Sequence, residues 1–383
     1  MSKLDELIAE FCPDGVEFVE LNEVLDYEQP TKYIVKSTNY DDSYTIPVLT
    51  AGQSFVLGYI NEDFGIYKAS PDSPVIIFDD FTTSFHWVDF NFKVKSSAMK
   101  MLRSKDNEIA NLRFLFHLMK NINYIPVDHS RQWIGKYSKF RIPLPPLPVQ
   151  QEIVRILDNF TELTAELTAE LTARRKQYEY YIDRVINANN YQHIPLNDVA
   201  KVYDGTHQTP NYTESGVKFV SVENINDLYG TTKRISEVDF SKYKIKPQPG
   251  DVFMTRIGDV GTPAVVTTNE PIAYYVSLAL IRPNKELLPQ YLYFYIKSSA
   301  FRKELYKRTL HTAVPIKINK EDIGKCRVAV PPIKEQQRVI ALLSRFDTLC
   351  NDISSGLPAE IEARQKQYEY YRDKLLTFKE VTG

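Results

Sequence analysis

Residues 150–188 read QQEIVRILDNFTELTAELTAELTARRKQYEYYIDRVINA, with neither proline nor glycine. Apolar side chains fall at Ile153, Ile156, Leu157, Phe160, Leu163, Leu167, Leu171, Tyr178, Tyr181, Ile182 and Val185. Steps of three and four place them along one stripe, so the spacing predicts a single helix on the order of 58 Å long at ~1.5 Å per residue. Such a stripe needs a partner helix, because one small globule cannot cover it. Glu162, Glu166 and Glu170 keep it out of a bilayer.

Within the stretch lies a tandem tetrapeptide, Thr164-Ala165-Glu166-Leu167 followed by Thr168-Ala169-Glu170-Leu171. Much of the stretch returns near the C-terminus. Gln336-Gln337 repeats Gln150-Gln151, and residues 363–371 repeat residues 173–181 with one change. The offset between copies is 186 at their start and 190 at their end, so the second copy, residues 334–378, is four residues longer. It carries Ser354-Ser355-Gly356-Leu357-Pro358, where glycine and proline predict a kink or short break.

Outward from the helices the duplication continues. Leu21-Asn22-Glu23-Val24 and Leu196-Asn197-Asp198-Val199 open two further segments, which close on Arg141-Ile142-Pro143-Leu144-Pro145-Pro146 and Arg327-Val328-Ala329-Val330-Pro331-Pro332. Prolines there suit an extended lead into a helix start. The expected plan is globule, helix, globule, helix: 1–148, 149–190, 191–333 and 334–383. In the first globule β-rich runs at 44–49, 54–60 and 75–78 precede a helix expected over 108–120. In the second, strands are expected at 218–222, 251–257, 263–267 and 273–281, then one helix over 288–307. The class is therefore α+β. Between their matching edges the globules share almost no sequence, which implies one scaffold carrying two different surfaces.

The 49 acids and 47 bases of the 383 residues give a net charge of −2, against a generally basic nucleic-acid protein. Local runs differ. Lys93, Lys95, Lys100, Arg103 and Lys105 stand together without an acid, and residues 297–320 hold seven Lys or Arg against Glu304. One basic strip per globule favours phosphate contact, with Lys100, Arg103, Lys303 and Lys317 as candidates. Side chains able to meet base edges lie nearby: Thr82, Thr83, Arg131, Gln132, Thr206, His207, Gln208, Arg256 and Thr312. Cys12, Cys326 and Cys350 are scattered, suiting a reducing cytoplasm and no zinc site. No run approaches the ~20 apolar residues of a membrane span, and no leader peptide is expected.

Gly258 and Gly261 lack the lysine and third glycine of a nucleotide-binding loop, and neither Pro-Pro pair has the polar residue before it that an amino-group methyltransferase needs. No catalytic triad or metal spacing is present. With its duplicated Pro-Pro…Gln-Gln helix starts, Thr-Ala-Glu-Leu tandem, Arg-Lys-Gln-Tyr-Glu-Tyr-Tyr helix ends and Asp204-Gly-Thr-His-Gln-Thr-Pro-Asn-Tyr212, the chain resembles a type I restriction-modification specificity subunit along essentially its whole length. The resemblance implies two target recognition domains held apart by two antiparallel helices, each reading half of a bipartite, asymmetric site in double-stranded DNA. It implies a non-catalytic chain that binds no cofactor. Two modification subunits using S-adenosylmethionine, and two ATP- and magnesium-dependent restriction and translocation subunits, would be its partners.

Gln150, Gln151, Gln336 and Gln337, with Leu163, Leu167, Leu171, Tyr178 and Tyr368, are the candidates for spacing and subunit docking. The rival readings are a coiled-coil adaptor without a DNA role, which predicts no salt-dependent DNA binding, and a self-contained methyltransferase, which would need the missing cofactor motif.

Overall fold

The computed structural model of the protein describes residues 2–52, 54–186, 191–352 and 354–381. Its internal contacts group into two units, residues 1–166 with 361–383 and residues 167–360. Each unit thus takes one globule, part of the first long helix and part of the second copy.

In the first unit an antiparallel sheet runs in the order Leu25–Glu28, Met99–Ser104, Val75–Asp79, Phe85–Val88. A smaller sheet orders Val56–Ile60, Ile46–Leu49, Lys93–Val94, with its last pair parallel. Glu17–Glu20 pairs with Arg141–Leu144 beside the helix start. The second unit repeats all of this. Its four strands run Ala200–Asp204, Leu278–Pro283, Val252–Ile257, Asp259–Val265, its three run Arg234–Ile235, Val217–Val220, Ile272–Tyr274, and His193–Pro195 pairs with Arg327–Ala329. Strand order and sense agree throughout, so the duplication runs through globules whose sequences do not match. Central strands such as Val75–Asp79 are apolar on both faces, with Val75, Ile76, Ile77 and Phe78 fully buried between two apolar clusters.

Four expected elements differ. The strand expected over 263–267 is Asp259–Val265, pairing from Asp259 onward with Val252–Ile257. The helix expected over 108–120 is Leu112–Asn121, because the Asn111 side chain accepts the free N–H groups of Arg113 and Phe114. The helix expected over 288–307 is two, Pro289–Lys297 and Ser299–Arg308. Buried Ser298 divides them, its hydroxyl donating to the Tyr295 carbonyl (2.6 Å) and accepting the Phe301 N–H (3.3 Å). The strand expected over 273–281 is also two, Ile272–Tyr274 in the three-stranded sheet and Leu278–Pro283 in the four-stranded one.

The first long helix is unbroken from Leu147–Ile186; the expected last two residues, 187 and 188, lie outside the described residues. Thr161, Thr164 and Thr172 donate to the carbonyls of Leu157, Phe160 and Thr168, satisfying their hydroxyls within the helix. The second copy is Ile333–Asn351 and Leu357–Leu375, broken where glycine and proline predict. In the second unit the segments run antiparallel: Arg175 reaches the Cys350 carbonyl, Tyr178 donates to Asp347 (2.7 Å) and Tyr181 stacks on Phe346 at 5.3 Å. The first unit repeats that stack between Phe160 and Tyr371, also at 5.3 Å.

Gln150 and Gln336 correct an expectation. Both are fully buried and so cannot seat a partner. The Gln150 amide accepts the Asn111 N–H and donates to the carbonyls of Ile109 and Pro145, at 2.7–2.8 Å. Gln336 accepts the Leu288 N–H and donates to Glu286 and Pro331 over the same distances. Each glutamine ties a long helix to the start of its globule's own helix. Gln336→Ala, which removes the partner of one buried and two part-buried backbone groups, is expected to cost about 2–3 kcal/mol, whereas exposed Gln337→Ala should stay within about 0.5 kcal/mol. Urea unfolding followed by circular dichroism measures both.

Candidate nucleic-acid interface

Asp79 organises the first unit's turn, its carboxylate accepting the N–H groups of Phe81 and Thr82 (2.9 and 2.8 Å). The turn holds Thr83 at φ 59°, a region costly for a β-branched residue, and buries it. Thr82 remains exposed. Beside it His129 stacks on Phe81 at 4.8 Å and Arg131 lies 5.9 Å from the same ring, so Thr82, His129 and Arg131 share one surface. Asp80 fastens this surface from below, its backbone carbonyl and carboxylate accepting the N–H groups of Gln132 and Trp133 (2.7 and 2.8 Å).

Burial removes several expected contacts from that surface. Lys100 is 1% exposed and faces Asp80 at 3.4 Å, with the Tyr27 ring 5.0 Å away. Lys93, from the same run, is fully buried against Glu62 (2.8 Å) and the Phe64 carbonyl (2.7 Å). Gln132 is fully buried and donates back to Asp128 and Ser130. None of these offers a charge or amide to a phosphate or base. Arg103 is exposed but sits over Tyr67, away from the Thr82 turn.

In the second unit Asp204–Asn211 borders a cleft of about 650 Å³. Tyr203, Thr206, Gln208, Thr209, Tyr243 and Lys320 are among its walls, with Lys242 and Lys244 at its rim. Gly205 is required there, since an added Cβ would lie 2.5 Å from the Tyr275 carbonyl oxygen. Arg256, expected to meet DNA, instead points inward: it is 6% exposed and its Nη1 donates to Asp204. That places Arg256 beneath the loop, holding Asp204, which Lys320 and His207 also approach at 3.8 and 3.9 Å. Thr206 and exposed Gln208 line the cleft, while His207 is exposed beside it. Thr312 and Lys317 lie on an exposed loop fixed to the Arg256–Gly258 turn, where the Gly258 N–H meets the Ile316 carbonyl at 2.9 Å. Lys303 is exposed on the helix Ser299–Arg308. Lys242 and Lys244 were not among the expected contacts, although Lys242-Tyr-Lys-Ile-Lys246 is itself a short basic run.

Among the described residues no group of His, Cys, Asp and Glu is arranged to hold a metal ion, and no helix is long and apolar enough to cross a membrane. The sequence matches the family described as type I restriction modification DNA specificity domain twice, over residues 13–174 and 189–363. The chain belongs to that family. It is 41% identical to the type I restriction enzyme EcoR124I/EcoR124II specificity subunit of Escherichia coli, over 99% of this chain and 97% of that one. Its fold is similar to a type I restriction-modification S subunit from M. genitalium (TM-score 0.62, 13% identity, covering 94% of this chain and 96% of that one). It is also similar to a chain from a structure describing complex assembly and conformational transition of the type I R-M system (TM-score 0.55, 20% identity, covering 95% and 98%). The chain is a specificity subunit, supplying DNA recognition and not catalysis.

The specificity subunit's remaining expected docking residues divide by exposure. Tyr178 is 4% exposed and spent on Asp347, which Tyr293 and Lys297 also reach. Its counterpart Tyr368 is half-buried against His117. Burial holds His117 below the usual imidazole range, so neutral His117 donates from Nε2 to Asp158 (2.9 Å) and accepts the Tyr368 hydroxyl at Nδ1 (3.3 Å). Leu163, Leu167 and Leu171 are half-buried along the helix. Gln151 and Gln337 are exposed at equivalent places.

Proposed function

We propose that this specificity subunit reads a bipartite, asymmetric sequence in double-stranded DNA. Residues 1–148 and 191–333 form its two target recognition domains. The helical segments 149–190 and 334–383 set the unspecified gap and seat two modification subunits, with two restriction and translocation subunits completing the assembly in the cytoplasm. The chain itself binds no cofactor; S-adenosylmethionine, ATP and magnesium belong to the partners. The observation that carries this reading is the repetition of one strand topology with unlike exposed side chains. Thr82 and Arg131 stand on one copy, and Gln208, Thr312 and Lys317, with half-buried Thr206 and Lys320, on the other. A repeated scaffold suits a repeated task, and unlike surfaces suit unlike half-sites.

Methylome sequencing of a host expressing the chain with its modification subunit is the test, expected to return one two-part motif with unrelated halves. Gln208→Ala is expected to relax a base in one half only, by about 1–3 kcal/mol of discrimination, while Lys317→Ala weakens binding to all sequences and lowers the salt slope by about 1. A single continuous motif, or changes in both halves from Gln208→Ala, would overturn the assignment.

A further inference from the structure

Base-reading surfaces must differ between the halves, whereas contacts to two identical partner subunits must recur. The helix ends Lys176-Gln-Tyr-Glu-Tyr-Tyr181 and Lys366-Gln-Tyr-Glu-Tyr-Tyr371 are the longest shared stretch of the two copies, and their tyrosines have separate fates. The first of each trio, Tyr178 or Tyr368, bonds inside its own unit. The third, Tyr181 or Tyr371, stacks on Phe346 or Phe160. The middle one faces out: Tyr180 is 59% exposed and Tyr370 is 62% exposed. At ~100° per residue, it lies about 200° from the first tyrosine and 100° from the third. Packing against its neighbouring tyrosine, at 5.7 Å for Tyr180 and 5.4 Å for Tyr370, fixes each ring without covering it.

Cations flank both rings on the same helix face. Lys176 and Arg184 stand four residues either side of Tyr180, and Lys366 and Lys374 four either side of Tyr370, all exposed. The acids three residues on are already engaged, Asp183 by the Ser299 N–H (2.7 Å) and Asp373 by Arg372 (2.6 Å). Lys366 also meets Glu362 at 2.6 Å, but an ion pair this open to solvent exchanges partners at little cost. A rigid exposed aromatic between two cations, present once per unit, is a binding anchor of stated chemistry.

We infer that Tyr180 and Tyr370 each anchor one copy of the modification subunit, through a segment of that subunit bearing acidic residues around an apolar position. This rests on the proposed seating of two modification subunits and adds which side chains hold them. The experiment uses the full chain co-purified with its modification subunit, read by native mass spectrometry and titration. Tyr180→Ala and Tyr370→Ala should each weaken one of the two sites by about 30-fold, leaving complexes with a single modification subunit, and the double variant should hold none at the same concentration. Arg184→Glu and Lys374→Glu should act in the same sense, with the wild-type affinity falling as salt rises.

Melting temperature and DNA affinity should stay at wild-type values in the tyrosine variants, because neither ring lies in its unit's core. Two modification subunits retained by the double variant would overturn the inference while leaving the functional reading intact. So would loss of DNA affinity or of self-association with both subunits still bound. A wild-type chain that binds no modification subunit would overturn both.

Discussion

Asp80→Ala is expected to destabilise the first unit by about 3–5 kcal/mol, the cost of leaving a buried charge without its partner. Asp80 and Lys100 are each 1% exposed and 3.4 Å apart, so removing the carboxylate strands the buried ammonium beside the Tyr27 ring. The same change frees the Trp133 N–H, held at 2.8 Å, and with it the segment presenting Arg131. Chemical denaturation should show the loss, and methylation by the variant complex should fail at one half-site first. Adding Lys100→Met removes the stranded charge and is expected to restore a large part of the stability, though not the Trp133 anchor. A single variant as stable as the parent would mean that Lys100 reaches solvent and that its basic run is a surface strip after all.

That contrast locates what was legible in the sequence. The long helix, its broken second copy and the two-globule plan could all be read, because period, glycine-proline punctuation and matching edges are local signals. Which polar side chains face inward could not. Lys100 finds its acid at Asp80 and Arg256 finds its acid at Asp204, 52 residues earlier in the chain, so a charge run alone does not separate solvated lysines from paired ones. Gln150 and Gln336 recur for an internal reason: each meets a helix start some 40 to 50 residues back, and a repeated polar pair looks the same whether it binds a partner or its own backbone. The strand expected over 273–281 divides at a turn closed by the Leu278 N–H on the Tyr275 carbonyl, and because both halves are buried no alternation marks the change of sheet. The Arg256 and Lys100 assignments failed for want of three-dimensional neighbours, whereas Thr82, Arg131, Gln208 and Lys317 do stand exposed.

The second large effect concerns the tandem. Deleting Thr168-Ala169-Glu170-Leu171 removes about 6 Å of helix and turns the remainder of the helix by about 40° beyond a full circle. Duplex DNA advances about 3.4 Å and 35° per base pair. The rotation therefore corresponds to one pair, while the rise exceeds it. The deleted residues include only half-buried Leu171 from the apolar stripe, and Leu167 and the preceding repeat keep its phase nearly unchanged. The expected result is a motif whose gap is shorter by about one base pair.

Mapping methylated adenines in hosts carrying the parent and this deletion tests the central claim, that two unlike readers are spaced by a counted length of helix. A counted spacer predicts the same two half-sites with the gap reduced by one. An unchanged gap, or altered bases in either half, would contradict it.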